Sequence, residues 1–309
     1  MFAVALETTV SMGIMMAMGY LIRKKGWVNS EYTRQFSTML YYSIIPCIII
    51  SSTINMEFDP QQLRKGAVML GVGLLLIAVM AVFGQGLHCL VGKGEQGRLM
   101  RFSMVYTNFT MMGLALAQTL FGNEGLFYFS LMLIPVRVYS YVTADFMLCN
   151  DREAGQLKFS LKEVFSPLLV YTLVGLAIYI FQLPLPEVIR TTITTGSKAM
   201  TPCGMILCGL LLGQTNLGEK LHSPKLYAFL AAKLLGAPLA MMGVMAVFGF
   251  TGIVAQLPVL FCSLPVAAIM GTFSVKHDCD PEAAAVYIAT STVFSVFTIP
   301  LMVSAASFL

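Results

Sequence analysis

The chain has 309 residues, of which 57% are hydrophobic and only 11% charged, with a net charge of +4. Soluble domains carry roughly 25% charged residues, so this sequence cannot cover itself with polar surface, and a water-soluble enzyme or binding module is excluded. The small positive excess lies mostly in loops and gives no sign of nucleic-acid binding.

A helix that crosses a bilayer needs about 20 mostly apolar residues. Apolar runs of that kind occur in chain order at 2–21, 36–54, 66–90, 102–121, 126–148, 164–181, 193–213, 226–250, 253–275 and 283–309. They predict an all-α polytopic membrane protein of ten transmembrane helices, joined by loops too short to hold a soluble domain. The first run is not a signal peptide, because Arg23, Lys24 and Lys25 follow it instead of preceding it. Under the positive-inside rule these charges place its far end in the cytoplasm. Thirteen of the 19 Lys and Arg residues fall in loops on that side. Three (Arg64, Lys65, Arg190) fall in loops opposite, and three (Arg137, Lys198, Lys233) lie within spans. Both termini are therefore expected outside a cytoplasmic (inner) membrane.

Shifting the sequence on itself by 156 residues places Glu31, Arg34, Thr38, Pro46 and Cys47 on Glu187, Arg190, Thr194, Pro202 and Cys203. Five spans per half is an odd number, so the second half must be inverted. The expected organisation is a first repeat over 1–149, a short cytoplasmic linker over 150–163 and an inverted repeat over 164–309. Inverted repeats build many secondary transporters, with the binding site near the midplane where the repeats meet. The seven cysteines form no CxxC pair and read as buried small hydrophobes.

The same shift places span 4 on span 9, and both carry helix-weakening residues midway. Span 4 has Asn108, Thr110 and Gly113; span 9 has Ser263, Pro265 and Gly271. Proline removes a backbone donor, and glycine lowers the cost of unwinding. Freed backbone groups survive in a membrane only when buried in protein or lining a wet cavity.

The stretch YTNFTMMGLALAQTLFG, from Tyr106 to Gly122, resembles the fourth-helix motif of the auxin efflux carrier family. The stretch from Leu264 to Met302 is similar to that family's last two helices, with Pro265, the acidic turn KHDCDPE, then Thr290, Ser291, Thr292, Ser295 and Pro300. Pro46 in YYSIIPCIIISS looks like the family's second-helix proline. The resemblance runs through the whole chain and implies crossed, interrupted helices 4 and 9. It further implies a scaffold and homodimer interface from helices 1, 2, 6 and 7, and a transport unit from helices 3–5 and 8–10 that moves as an elevator. Small carboxylic acids are the substrates it suggests. Ala115 stands where the family often has proline, and Val266, Ala267 and Ala268 stand where it often has asparagine.

Arg137 lies near the centre of span 5, where an arginine costs at least about 2.5 kcal/mol on insertion scales and so faces the bundle interior. Two roles are open: gripping a substrate carboxylate with its planar fork, or serving as a fixed cation against half-helix C-termini at the crossing. Asp145, eight residues later, is a candidate coupling acid or a hydrated helix-end residue. Lys198, Lys233 and Glu7 read as anchors near the membrane surface, with the lysines snorkelling.

HExxH, paired intramembrane aspartates and a phosphate-cradling glycine loop are all missing from the sequence. No cofactor and no metal are expected. The reading is a secondary transporter of a small organic anion, embedded in a lipid bilayer. Alternatives are a sodium-coupled organic acid symporter of the bile-acid type, or a channel. Substrate-binding candidates are Asn108, Thr110, Gly113, Ser263, Pro265 and Arg137. Candidates for a role at the crossing or in coupling are Arg137, Asp145, Pro46, Ser291 and Ser295.

Overall fold

A computed structural model describes residues 2–54, 56–92, 94–148, 167–214 and 223–309. The expected linker over 150–163 lies outside the described residues. Those that are described fold almost wholly into helices: α1 (Phe2–Lys24), α2 (Ser30–Met39), α3 (Ile45–Ile54), α4 (Pro60–Val91), α5 (Glu95–Val105) and α6 (Leu114–Leu148). After the linker come α7 (Pro167–Phe181), α8 (Glu187–Lys198), α9 (Met200–Leu212), α10 (Pro224–Ala231), α11 (Ala237–Val247), α12 (Ile253–Ser263), α13 (Ile269–Lys276) and α14 (Pro281–Ala306).

Helix starts are set by local chemistry. The side chain of Asn29 accepts the Tyr32 N–H ahead of α2, and that of Asp59 accepts the Gln61 N–H ahead of α4. Asp280 does the same for Ala283 at the head of α14. Each supplies an acceptor for an N–H with no partner inside the helix. Pro60 and Pro281 follow in the first turn, where a missing N–H costs nothing.

Three π-helical segments interrupt the regular helices, and two have a proline just behind them. Leu40–Ile44 joins α2 to α3 ahead of Pro46, and Ala232–Gly236 joins α10 to α11 ahead of Pro238. A proline cannot donate to the carbonyl four residues back and its ring crowds that carbonyl, so the helix widens there instead of ending. At 35 residues, α6 would be roughly 52 Å long if straight, against a hydrocarbon core of about 30 Å. It is not straight: Gly122 has φ 65° and ψ −159°, a backbone shape that a side chain rarely tolerates, and the chain turns there.

Large apolar side chains point outward as well as inward; Leu74, Val82, Leu90 and Phe297 are all more than 60% exposed. Helices that are apolar all round belong in lipid. Five continuous helical stretches among the described residues are long and apolar enough to cross a membrane: Ser30–Ile54, Pro60–Leu90, Phe109–Ser140, Pro224–Val247 and Pro281–Ala306. The chain is a multi-pass membrane protein.

Inside, α1 runs along α9, α3 packs on α7 and α8, and α4 lies against α5 and α6. On the other side α12 packs on α11 and α14. The α1–α9 contact brings backbone against backbone. A Cβ added at Gly19 would sit 2.2 Å from the Ile206 carbonyl oxygen, and one at Gly209 would sit 2.0 Å from that of Met16. Small residues of this kind are what let helices approach closely in lipid, where no hydrophobic force drives them together.

Candidate functional site

The site begins with two helices that stop halfway. α5 ends at Val105, and Tyr106 (φ −90°, ψ 92°) leads the chain out of helical geometry. After Asn108 the backbone resumes as a π-helical turn, Phe109–Gly113, and continues into α6. On the other side α12 ends at Ser263, and Leu264 (φ −68°, ψ 147°) is extended. Its position before Pro265 explains this, since the proline ring disfavours the helical region for the preceding residue. α13 resumes at Ile269.

The two extended pieces pair with each other. The Asn108 N–H donates to the Pro265 carbonyl at 2.8 Å, and the Ala267 N–H donates to the Tyr106 carbonyl at 3.0 Å. The result is a one-rung antiparallel bridge between Thr107 and Val266. The Val266 N–H donates to the Ser291 hydroxyl at 3.1 Å, so α14 satisfies the donor that the bridge leaves over. Buried backbone groups must find partners, and at this depth water is not a dependable one. Two interrupted helices therefore stabilise each other where neither could persist alone.

The crossing also concentrates partial charge. The Phe109–Gly113 turn and α13 both start here, and neither has a side-chain cap. Local turns take up several of their first N–H groups, Phe109 donating to Thr107, Met112 and Gly113 to Asn108, and Met270 and Gly271 to Ala267 and Ala268. The helix dipoles still leave positive potential suited to an anion. α5 and α12 end here, and bring carbonyl oxygens of opposite sign.

A family described as "Membrane transport protein" matches residues 4–303. The chain belongs to this family, the auxin efflux carriers. It is also similar to a protein named "Uncharacterized transporter" from Methanothermobacter thermautotrophicus, with 23% identity over 299 residues covering 96% of each chain. The protein is a membrane transporter.

Within this transporter the selected residues take different places. Asn108 and Thr110 are half-buried, on the part of the crossing that remains accessible, and Ala267 and Ala268 are half-buried opposite them. The Asn108 amide donates to the Cys208 sulfur at 3.4 Å, which points it at α9. Pro265 is buried and contributes its carbonyl, while Ser263 is fully buried with its hydroxyl turned back onto the Val259 carbonyl at 2.8 Å. Gly113 lies just past the break: a Cβ there would meet Leu264 at 2.8 Å and Phe129 at 3.0 Å, so its role is close packing of the crossing. Gly271 is inside α13 with only Ile288 near, at 3.8 Å, and takes no part in the break. Thr107, which faces away from Asn108 along the extended piece, is 1% exposed, and its hydroxyl has no hydrogen-bond partner among the described residues.

Arg137 is 2% exposed and reaches across to α7. One guanidinium nitrogen donates to the Thr172 hydroxyl at 3.0 Å and toward the Leu168 carbonyl at 3.5 Å. Pro46 is half-buried at the head of α3, two residues past the end of the first π-helical segment. Ser291 is at the crossing, whereas Ser295, one turn further, donates to Thr292 within its own helix. Asp145 falls in the last part of α6, and its side chain lies outside the described residues.

One expectation is corrected. Lys233 is not a snorkelling anchor: it is 0% exposed, and its ammonium donates to the Met104 carbonyl at 3.1 Å. The apolar run starts at 226, which makes Lys233 look close to the surface, but α10 starts at Pro224 and lengthens the distance to roughly 13 Å. Lys198, by contrast, is exposed, as is Glu7. Of the described cysteines none is in a disulfide; Cys208, Cys262 and Cys279 are buried, Cys47 and Cys203 half-buried, and Cys89 exposed. In the turn before α14, burial pushes the Cys279 thiol up from its ordinary range, which keeps it protonated and unreactive.

Proposed function

We propose that this transporter carries a small organic anion, a carboxylate, bound at the crossing of the two broken spans. The observation that carries the reading is the meeting of two uncapped helix starts beside the partly open Asn108 side chain. An anion there is favoured by the positive ends of both helix dipoles. The Asn108 amide can donate to one carboxylate oxygen, and the Thr110 hydroxyl is available for the other. Gly113, Ser263 and Pro265 shape the walls, and Arg137 adds a buried positive charge on the α6–α7 side.

In the same reading the chain is a ten-span inverted repeat with both termini outside the inner membrane. Support comes from the element order: Pro46 and Pro202, 156 residues apart, each follow a point where the helix loosens, at Leu40–Ile44 and at Ala199. Packing supports a division of labour. α1, α2–α3, α7 and α8–α9 contact one another, as a scaffold that also forms a homodimer. α4–α6 and α10–α14 contact one another across the crossing, as a unit that moves against the scaffold in an elevator-like way.

A thermal-shift screen of small mono- and dicarboxylates, run in sodium and in choline, tests this. Selective stabilisation by a carboxylate, equal in both salts, is the expected result, because a ligand that binds the native state raises its stability by mass action. Stabilisation only when sodium is present would favour the sodium-coupled symporter. A response to none of the acids would remove the carboxylate reading.

A further inference from the structure

We propose that Lys233 is the resident cation of the crossing: its ammonium holds the carbonyl end of α5, so the crossing needs no dissolved cation. The crossing displaces a helical hydrogen bond. In an unbroken helix the Met104 carbonyl would accept from the N–H four residues on, at Asn108. That N–H is instead given to Pro265 across the crossing. Forming the crossing thus orphans the Met104 carbonyl, in a place where Met104 is 0% exposed and water is excluded. The Lys233 ammonium, also 0% exposed, donates to that oxygen at 3.1 Å.

The route by which Lys233 arrives there is legible in its own helix. Pro238 cannot donate to Leu234, and the chain widens into the π-helical segment Ala232–Gly236, which contains Lys233. Such π-helical turns recur at functional sites because they re-aim a side chain. The two ion pairs among the described residues, Glu31–Arg34 and Glu187–Arg190, are both elsewhere. The partner of the Lys233 charge is therefore the dipole at the C-terminus of α5, where a cation is favoured. Lys233 is a positioning residue: it holds the break open on one side, while Asn108 and Thr110 face the substrate on the other.

The inference adds to the proposed substrate site but is tested on substrate-free protein, so the two can fail separately. The melting temperature of the purified wild type should agree within about 1 °C in sodium chloride and in choline chloride of equal concentration. Lys233→Met fills the space without the charge and should lower it by about 5 °C or more. Lys233→Gln, a neutral donor, should fall between. Lys233→Ala leaves room for a small cation, so its stability should rise by several degrees as sodium or lithium replaces choline. The proposal is overturned if Lys233→Met matches wild type, since the lysine would then only pack. It is equally overturned if the wild type needs sodium, or if Lys233→Ala ignores the cation. Should the Met and Ala variants fail to yield folded protein, the wild-type salt comparison and Lys233→Gln still decide. Loss of transport in Asn108→Ala bears only on the substrate reading.

Discussion

The α1–α9 contact and the crossing of the two broken spans are both places where backbones come close, and they achieve it by opposite means. α1 and α9 run as unbroken helices, and Gly19 and Gly209 simply remove the side chains that would hold them apart. At the crossing the helical bonds are given up, and the freed groups are reassigned to the opposite break, to Ser291 and to Lys233. The first contact is held by dispersion over a tight surface and has one good geometry. The second is held by a few polar exchanges between groups that a regular helix would have paired internally. A rigid scaffold and a responsive site follow from that difference in bonding.

Breaking the first contact should have the largest effect. Gly209→Leu drives a side chain into the Met16 carbonyl, which is already 2.0 Å from where a Cβ would stand. Backbone on both sides must move, and we expect no monodisperse folded protein on size-exclusion chromatography. A variant that elutes and melts like wild type would show that the helices can part, and that the contact is not a rigid seam.

The crossing should lose less per change, because each change there removes one hydrogen bond and leaves the surrounding packing in place. Ser291→Ala removes the acceptor of the Val266 N–H and leaves a buried donor unmatched, at a cost of about 1–3 kcal/mol. A fall of several degrees in melting temperature is expected, with expression unchanged. If stability is unaffected, another group satisfies Val266, and α14 is not part of the crossing.

At the small end, Gly271→Ala should be neutral or stabilising by up to about 1 kcal/mol. Alanine is the better helix former, and the added methyl meets only Ile288 at 3.8 Å. A strong loss of stability or transport would mean that α13 needs this glycine to unwind during movement.

How far the sequence announced all this depended on which physical cause was at work. Pro265 breaks its helix by covalent geometry, and that is visible in one letter. The break before Asn108 has no proline; it exists because Tyr106 and Asn108 find partners more than 150 residues away, which local sequence cannot display. Gly113 and Gly271 look alike in a string of letters, yet one lies tightly under Leu264 and the other has room for a methyl group beside Ile288. Lys233 reads as shallow from its distance to the end of an apolar run, and its true depth shows only with the helix start at Pro224. The interior place of Arg137 follows from the cost of its charge in lipid, but its neighbour on α7 depends on packing between halves of the chain.

In the proposed function a small carboxylate binds at the crossing through Asn108. The most direct test is uptake by proteoliposomes of whichever acid the thermal-shift screen selects, with wild type and Asn108→Ala reconstituted side by side. We predict that the variant folds and inserts normally, and that its KM for the acid rises about tenfold, the loss of roughly 1.4 kcal/mol expected for hydrogen bonds to a charged group. Unchanged uptake kinetics in Asn108→Ala would contradict the claim and move the site away from the crossing.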